Sequence, residues 1–330
     1  MLIVTKHSDP TFWDSLHGLR GVALLYVLLS HLGIAGFFLA PVGHNGIGKI
    51  GVWIFFGLSA FLLTSRLYAS IKQGLRPTPA LVGFLTHRIF RIYPLYVLVV
   101  IAHAIVRDIT PREVLEHIFL LSGFQELWAI PVEFKYYFWI PVIVLFAALV
   151  GHINAITTLG IVFIATSAFA FTYPSFVFSN ALTLLPKVAP FLLGSILGIA
   201  AVELRPGGDS GRFRYDLLGV ISLLLLVICT FAYREWIKDK PSTSELAPMI
   251  SILTGIAVVG LMRALLAGGV IARIFALRPL VILGEISFSV YLLHMFLVRF
   301  ATRFTVPDAR ELWAWPIFAA AIVAGWLSYT

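Results

Sequence analysis

The sequence predicts an all-α polytopic membrane protein, a bundle of about ten transmembrane helices with both termini cytoplasmic. Three observations lead there. Of 330 residues, 60% are hydrophobic and only 12% are charged, with a mean hydropathy of +0.96. A soluble domain is about 45–50% apolar and about 25% charged, so this chain has more apolar surface than a water-soluble core encloses. That excludes a cytosolic enzyme and a disordered chain. The apolar residues also fall in runs near the roughly 20 residues that cross a bilayer. Finally, the Lys and Arg residues behind the net charge of +8 lie between those runs. They read as topology signals and anionic-ligand contacts rather than a nucleic-acid surface.

The polar stretch from Met1 to Leu16 leads into the first run, 18–39. It is longer than a signal-peptide core and lacks a small-residue cleavage site, so it reads as a permanent helix. Further spans are read at 50–68, 92–106, 136–151, 156–173, 188–204, 217–233, 247–267, 280–300 and 312–330. The segment 114–132 is too broken by Glu116, His117, Glu126 and Pro131 to span, and is expected on the outer face, partly re-entrant. With the N-terminus inside, the inner loops hold Arg66, Lys72, Arg76, Arg88 and Arg91, then Arg205, Arg212 and Arg214, then Arg263, Arg273 and Arg278. The excess is a weak positive-inside bias. No repeat or soluble domain is visible, so 1–330 reads as one transmembrane domain. The last run stops at Thr330 without a charged anchor, the pattern of a chain that continues. The single cysteine, Cys229, excludes an intrachain disulfide and a cysteine metal site, and no metal is expected.

Ionisable groups inside spans are costly and tend to face a bundle interior or a wet cavity. Arg20 and His31 are eleven residues apart in the first helix, three turns plus about 20°, so they share a face about 16 Å apart along the axis. The plainer reading is a snorkelling Arg and a His bonded between helices. In His87–Pro94, Arg88 and Arg91 share a face at the start of a helix and suit phosphate, or serve as ordinary anchors. In Trp128–Tyr137, Glu133 can orient an acceptor hydroxyl and Trp128 can stack on a sugar, or the stretch is an aromatic belt with a Glu133–Lys135 surface pair. Tyr291 and His294 share a face at i, i+3, fit for substrate contact or interhelical hydrogen bonds. Ser59, His103 and Glu285 are buried polar groups by position.

Taken in order, these clusters resemble the acyltransferase-3 family of integral membrane acyltransferases. Leu16-His17-Gly18-Leu19-Arg20-Gly21 with His31 is similar to that family's opening helix, and Gly51–Phe61 to its second-helix signature. Arg88-Ile89-Phe90-Arg91-Ile92-Tyr93-Pro94 resembles its arginine-rich third-helix entry, while Trp128–Tyr137 and Ile282–His294 resemble later signatures. His17 stands where an Asp is customary, Trp53 where another acid is frequent, and Ala60 where Gly is usual.

The resemblance implies transfer of an acyl group, acetyl by family habit, from cytoplasmic acyl-CoA to a hydroxyl of a cell-envelope saccharide or lipid-linked glycan. Acyl-CoA is then a co-substrate, with no permanently bound cofactor and no nucleic-acid partner. Arg20, Arg88, Arg91 and Ser59 would meet the donor. His31 would act as general base, with Arg20 and Glu133 beside it in catalysis. Trp128, Glu133, Tyr137, Tyr291 and His294 would meet the acceptor. The expected location is the inner (plasma) membrane. The alternative class is a transporter or flippase of a lipid-linked or anionic solute, which also carries intramembrane charges.

Overall fold

The computed structural model describes residues 10–37, 47–106, 109–123, 125–203, 212–236, 245–305 and 310–329. Every regular element among them is helical. The longer ones are α1 (Pro10–Ile34), α2 (Gly48–Lys72), α3 (Pro77–Ile105), α4 (Pro111–Ile118), α5 (Ala129–Val150), α6 (His152–Thr172) and α7 (Ala189–Glu203). They continue with α8 (Arg212–Trp236), α9 (Leu246–Leu265), α10 (Val270–Phe275), α11 (Arg278–Glu285), α12 (Ser287–Phe304) and α13 (Arg310–Tyr329). Among the described residues, seven helices are long and apolar enough to cross a membrane, eight if α11 and α12 form one bent span. Ala189–Glu203 and Trp315–Ser328 are shorter apolar helices. These helices make the chain a membrane protein.

The core sits where α2 meets α1, α7 and α9. In its most apolar window α2 is 78% buried, against 17% for α6 and 22% for α8. A helix apolar all round and mostly uncovered needs a non-aqueous neighbour, so α6 and α8 form the lipid-facing rim. Polar contacts tie the centre together. Ser195 of α7 pairs with Thr64 of α2 at 2.9 Å and Tyr136 of α5 at 2.8 Å. Trp53 of α2 donates its indole N–H to Ser251 of α9 at 2.7 Å.

Three boundaries differ from the sequence reading in ways that move the site. Helix α3 starts at Pro77, not near 92, because Pro77 suits a first helical turn and the half-buried Leu81 and Phe84 pack on the core. An apolar-run criterion misses that amphipathic first half, and Arg88 and Arg91 therefore lie mid-helix rather than at a helix start. Helix α5 begins at Ala129 rather than 136, so Glu133 stands inside it, one turn before Tyr137, rather than ahead of it. The predicted span 280–300 is broken between α11 and α12 by a 72° bend. No proline causes the break. A Cβ on Gly284 would overlap the His17 carbonyl and one on Gly18 the Phe275 carbonyl, so α1 is seated directly on α11 and on the end of α10.

Ahead of α5, which takes in residues 129–132, the described residues of segment 114–132 form no helix long enough to cross. Its helix α4 carries a Thr110/Glu113 capping box and is tied to α3, with the Tyr93 hydroxyl donating to Ile118 O and that of Tyr96 to His117 O at 3.2 Å.

Candidate active site

One cavity, about 1120 Å³ and partly open to solvent, lies among α1, α2, α3, α5 and the first turns of α12. Its polar lining is His17, Arg20, Ser59, Arg66, Arg88, Arg91, Glu133, Tyr137, Ser287 and Tyr291, set in a largely apolar wall that includes Phe55, Leu62 and Ile130. Four guanidiniums thus share the space with one carboxylate. Arg66 and Arg91 are exposed at the mouth and Arg20 and Arg88 half-buried, and this excess of positive charge around a partly open cavity favours a polyanionic occupant that forms charge-assisted, bidentate contacts.

The elements explain how these groups converge. Ser59 and Arg66, seven apart on α2, share one face, and Arg66 lies over the Trp13 ring of α1 with its guanidinium carbon 5.2 Å from the centroid. Arg88 and Arg91, three apart on α3, share another. Glu133 and Tyr137 are four apart on α5 and so share a face, and the Tyr137 hydroxyl lies 3.3 Å from that of Ser59, which links α5 to α2. The Nδ1 atom of His17 is buried and has no hydrogen-bond partner among the described residues.

A second polar feature adjoins the cavity. Tyr291 lines it, and one turn further along α12 the buried His294 lies with its Nε2 2.7 Å from Nδ1 of His31 on α1. The two imidazoles are nearly parallel, at 19°, with centroids 5.0 Å apart, and the Tyr291 ring lies 5.8 Å from that of His294. His31 keeps part of its surface exposed.

The structure brings together Arg20, Ser59, Arg88, Arg91, Glu133, Tyr137 and Tyr291 in one cavity. Donor-side and acceptor-side groups, separate in the sequence reading, therefore share a wall. His31 is not among the lining residues; it stands beyond Tyr291 in the histidine pair. His294 is 0% exposed, which places it behind His31 rather than against a substrate. Trp128 needs correction. It is 2% exposed and packed against Trp53 and Phe56, with the Lys49 ammonium 4.1 Å from its ring centroid, so no ring face remains for a sugar. Glu133 and Lys135 are no surface pair either: Glu133 faces the cavity while Lys135 donates to Leu182 O at 2.7 Å.

The sequence model of the acyltransferase-3 family, described as an acyltransferase domain, matches residues 13–330. The chain belongs to that family. Its relatives include proteins of Staphylococcus aureus strains MSSA476, MRSA252 and MW2, each described as a "putative O-acetyltransferase". Each is 24% identical over 370 aligned residues, covering 98% of this chain and 57% of the relative. The chain thus spans little more than half the length of those proteins. No solved structure matches it.

For an acyltransferase-3 protein, the residues missed by the sequence reading are Arg66 and His17. Arg66 reads as a topology signal because it lies near a helix end, although its seven-residue spacing from Ser59 puts both on one face. His17, one turn before Arg20, reads only as a departure from a pattern.

Proposed function

We propose that this acyltransferase-3 protein is an O-acyltransferase of the plasma membrane that takes its acyl group, acetyl in the simplest case, from acyl-CoA. The observation that carries the reading is the cavity with four guanidiniums and one carboxylate. CoA offers a pyrophosphate and a ribose phosphate, and arginine forks match phosphate oxygens bidentately. Its thioester arm is uncharged and slender, suited to the apolar wall between Arg20 and Tyr291. Along α1 the span from Arg20 to His31 is about 16 Å, which puts the thioester near the imidazole when the phosphates are held by the arginines.

The acceptor is a hydroxyl of a saccharide or lipid-linked glycan. His31 removes the hydroxyl proton as the oxygen attacks the thioester carbonyl carbon. The C–S bond breaks as the intermediate collapses, and the proton held by His31 passes to the departing thiolate, giving free CoA and an ester. Imidazole suits both steps because its ordinary pKa lies near working pH. Glu133 offsets part of the arginine charge.

The test is release of CoA from acetyl-CoA by purified protein with an envelope extract as acceptor. His31→Ala should cut turnover by about 10²–10⁴-fold with unchanged expression. Near-normal turnover in that variant would remove His31 from the chemistry. A transporter would bind or move solute without consuming thioester, so absence of any CoA release, with or without extract, would favour that class.

A further inference from the structure

We infer that His294 is a positioning residue that fixes the neutral tautomer of His31, leaving the His31 Nε2 lone pair as the base. The inference rests on the acyl-transfer reading for its consequence, but its structural part stands on hydrogen-bond geometry alone.

The argument starts inside α12. Nδ1 of His294 lies 2.7 Å from the carbonyl oxygen of Tyr291 and 3.2 Å from that of Val290. A carbonyl oxygen only accepts, so Nδ1 carries the proton. In a neutral imidazole the other nitrogen is then bare, and Nε2 of His294 is an acceptor. Its partner at 2.7 Å is Nδ1 of His31, which must donate. Nε2 of His31 is left with a lone pair. That atom is bonded by none of the described residues, and His31 keeps part of its surface exposed.

Of the pair's four nitrogens, one is committed to carbonyls and two share a single proton between the rings. The fourth, Nε2 of His31, is the one place a further proton can go, and it is the atom a general base needs. Water by itself would favour the opposite tautomer, with the proton on Nε2 and no lone pair there. The orientation of one imidazole by a hydrogen bond at its other nitrogen is the logic of a catalytic triad, here with a neutral imidazole as orienter. His294 is 0% exposed, so it acts through His31 and touches no substrate. The backbone of α12 supplies the ultimate anchor, through Tyr291 and Val290.

The first measurement is the nitrogen spectrum of ¹⁵N-histidine-labelled whole chain in lipid bilayers, with the His31 signals found by their loss in His31→Gln. The expected result is a protonated Nδ1 and a bare Nε2 in the wild type, and appearance of the Nε2-protonated form in His294→Leu. A wild-type His31 protonated on Nε2 overturns the inference, and this readout holds even where His294→Leu fails to fold. The second measurement is CoA release from acetyl-CoA. His294→Leu should lower kcat on the order of 10²-fold with the KM for acetyl-CoA unchanged. His294→Gln, whose side-chain carbonyl accepts the same N–H, should recover part of the loss. Turnover lost in His31→Ala but intact in His294→Leu overturns the positioning role and leaves the acyl-transfer reading standing. CoA release that survives His31→Ala removes the base, and this role of His294 with it.

Discussion

Two clusters of cations sit inside this bundle, and the protein treats them in opposite ways. Lys187, 0% exposed, is enclosed by its own chain: its ammonium donates to the carbonyls of Phe176 at 2.7 Å, Ala181 at 2.9 Å and Thr183 at 3.4 Å, and lies 5.6 Å from the centroid of Trp128. Lys49 beside it donates to the Asn180 side chain and lies over the same ring. In the cavity, Arg20, Arg66, Arg88 and Arg91 face one another with Glu133 as the only carboxylate among the lining residues. A cation whose donors are all met by backbone holds a loop in place. A group of like charges short of partners at a partly open cavity, with Arg66 and Arg91 exposed, is instead placed to receive an anion, so burial and hydrogen-bond accounting together separate scaffold from site.

The comparison breaks most visibly at Lys187. Lys187→Met keeps the length of the side chain but removes the buried ammonium that donates to three backbone carbonyls, and hydrogen bonds to a charged group are worth about 1.5–3 kcal/mol each. The expected outcome is a large fall in melting temperature or in yield of folded protein. In whatever fraction folds, the KM for acetyl-CoA should match the wild type. A stable Lys187→Met protein with weakened donor binding would invert the assignment of the two clusters.

The arginines should do the reverse. Arg88→Ala or Arg91→Ala removes a charge-assisted contact worth about 1.5–3 kcal/mol, so acetyl-CoA should bind roughly 10–150-fold more weakly by calorimetry. Melting temperature without donor should hold or rise, since the variant relieves repulsion among guanidiniums. A drop in stability without change in affinity would make these arginines structural.

How much of this was legible beforehand follows from what each residue depends on. Arg20, Arg88, Arg91, Glu133 and Tyr137 stood out because an ionisable or hydroxyl group in an apolar run has to be paid for, and that argument needs no fold. The histidine pair was half legible. His31 and His294 both stand out, but a contact between residues 263 positions apart is set by how α1 and α12 pack, which helical spacing does not encode. The α11–α12 break was invisible for a related reason: it arises where Gly284 meets the backbone of His17, a contact between helices rather than a local signal. Trp128 failed because an interfacial tryptophan and a core tryptophan look alike in sequence. Only the packing of Trp53 and Phe56 against it decides.

The smallest expected effect concerns α4, which is scaffold of the Lys187 kind and props the arginine-bearing helix through Tyr93 and Tyr96. Burial pushes the His117 imidazole below its ordinary value of 6.5, and the Thr110 hydrogen bonds hold the Glu113 carboxyl below its own. For both groups the unfolded segment binds protons more readily than the folded one, so acid favours opening. The loss begins as pH falls through about 6.5, where unfolded His117 charges first, and continues below the ordinary carboxylate range near 4, where Glu113 protonates. Amide hydrogen exchange over 111–118, corrected for intrinsic rates, should therefore rise on acidification in two stages. Glu113→Ala should remove the lower stage alone, while exchange around Ser195, in the packed centre, stays flat. A single stage at the upper window would show that the cap does not hold α4, and the tyrosine contacts alone would then position α3.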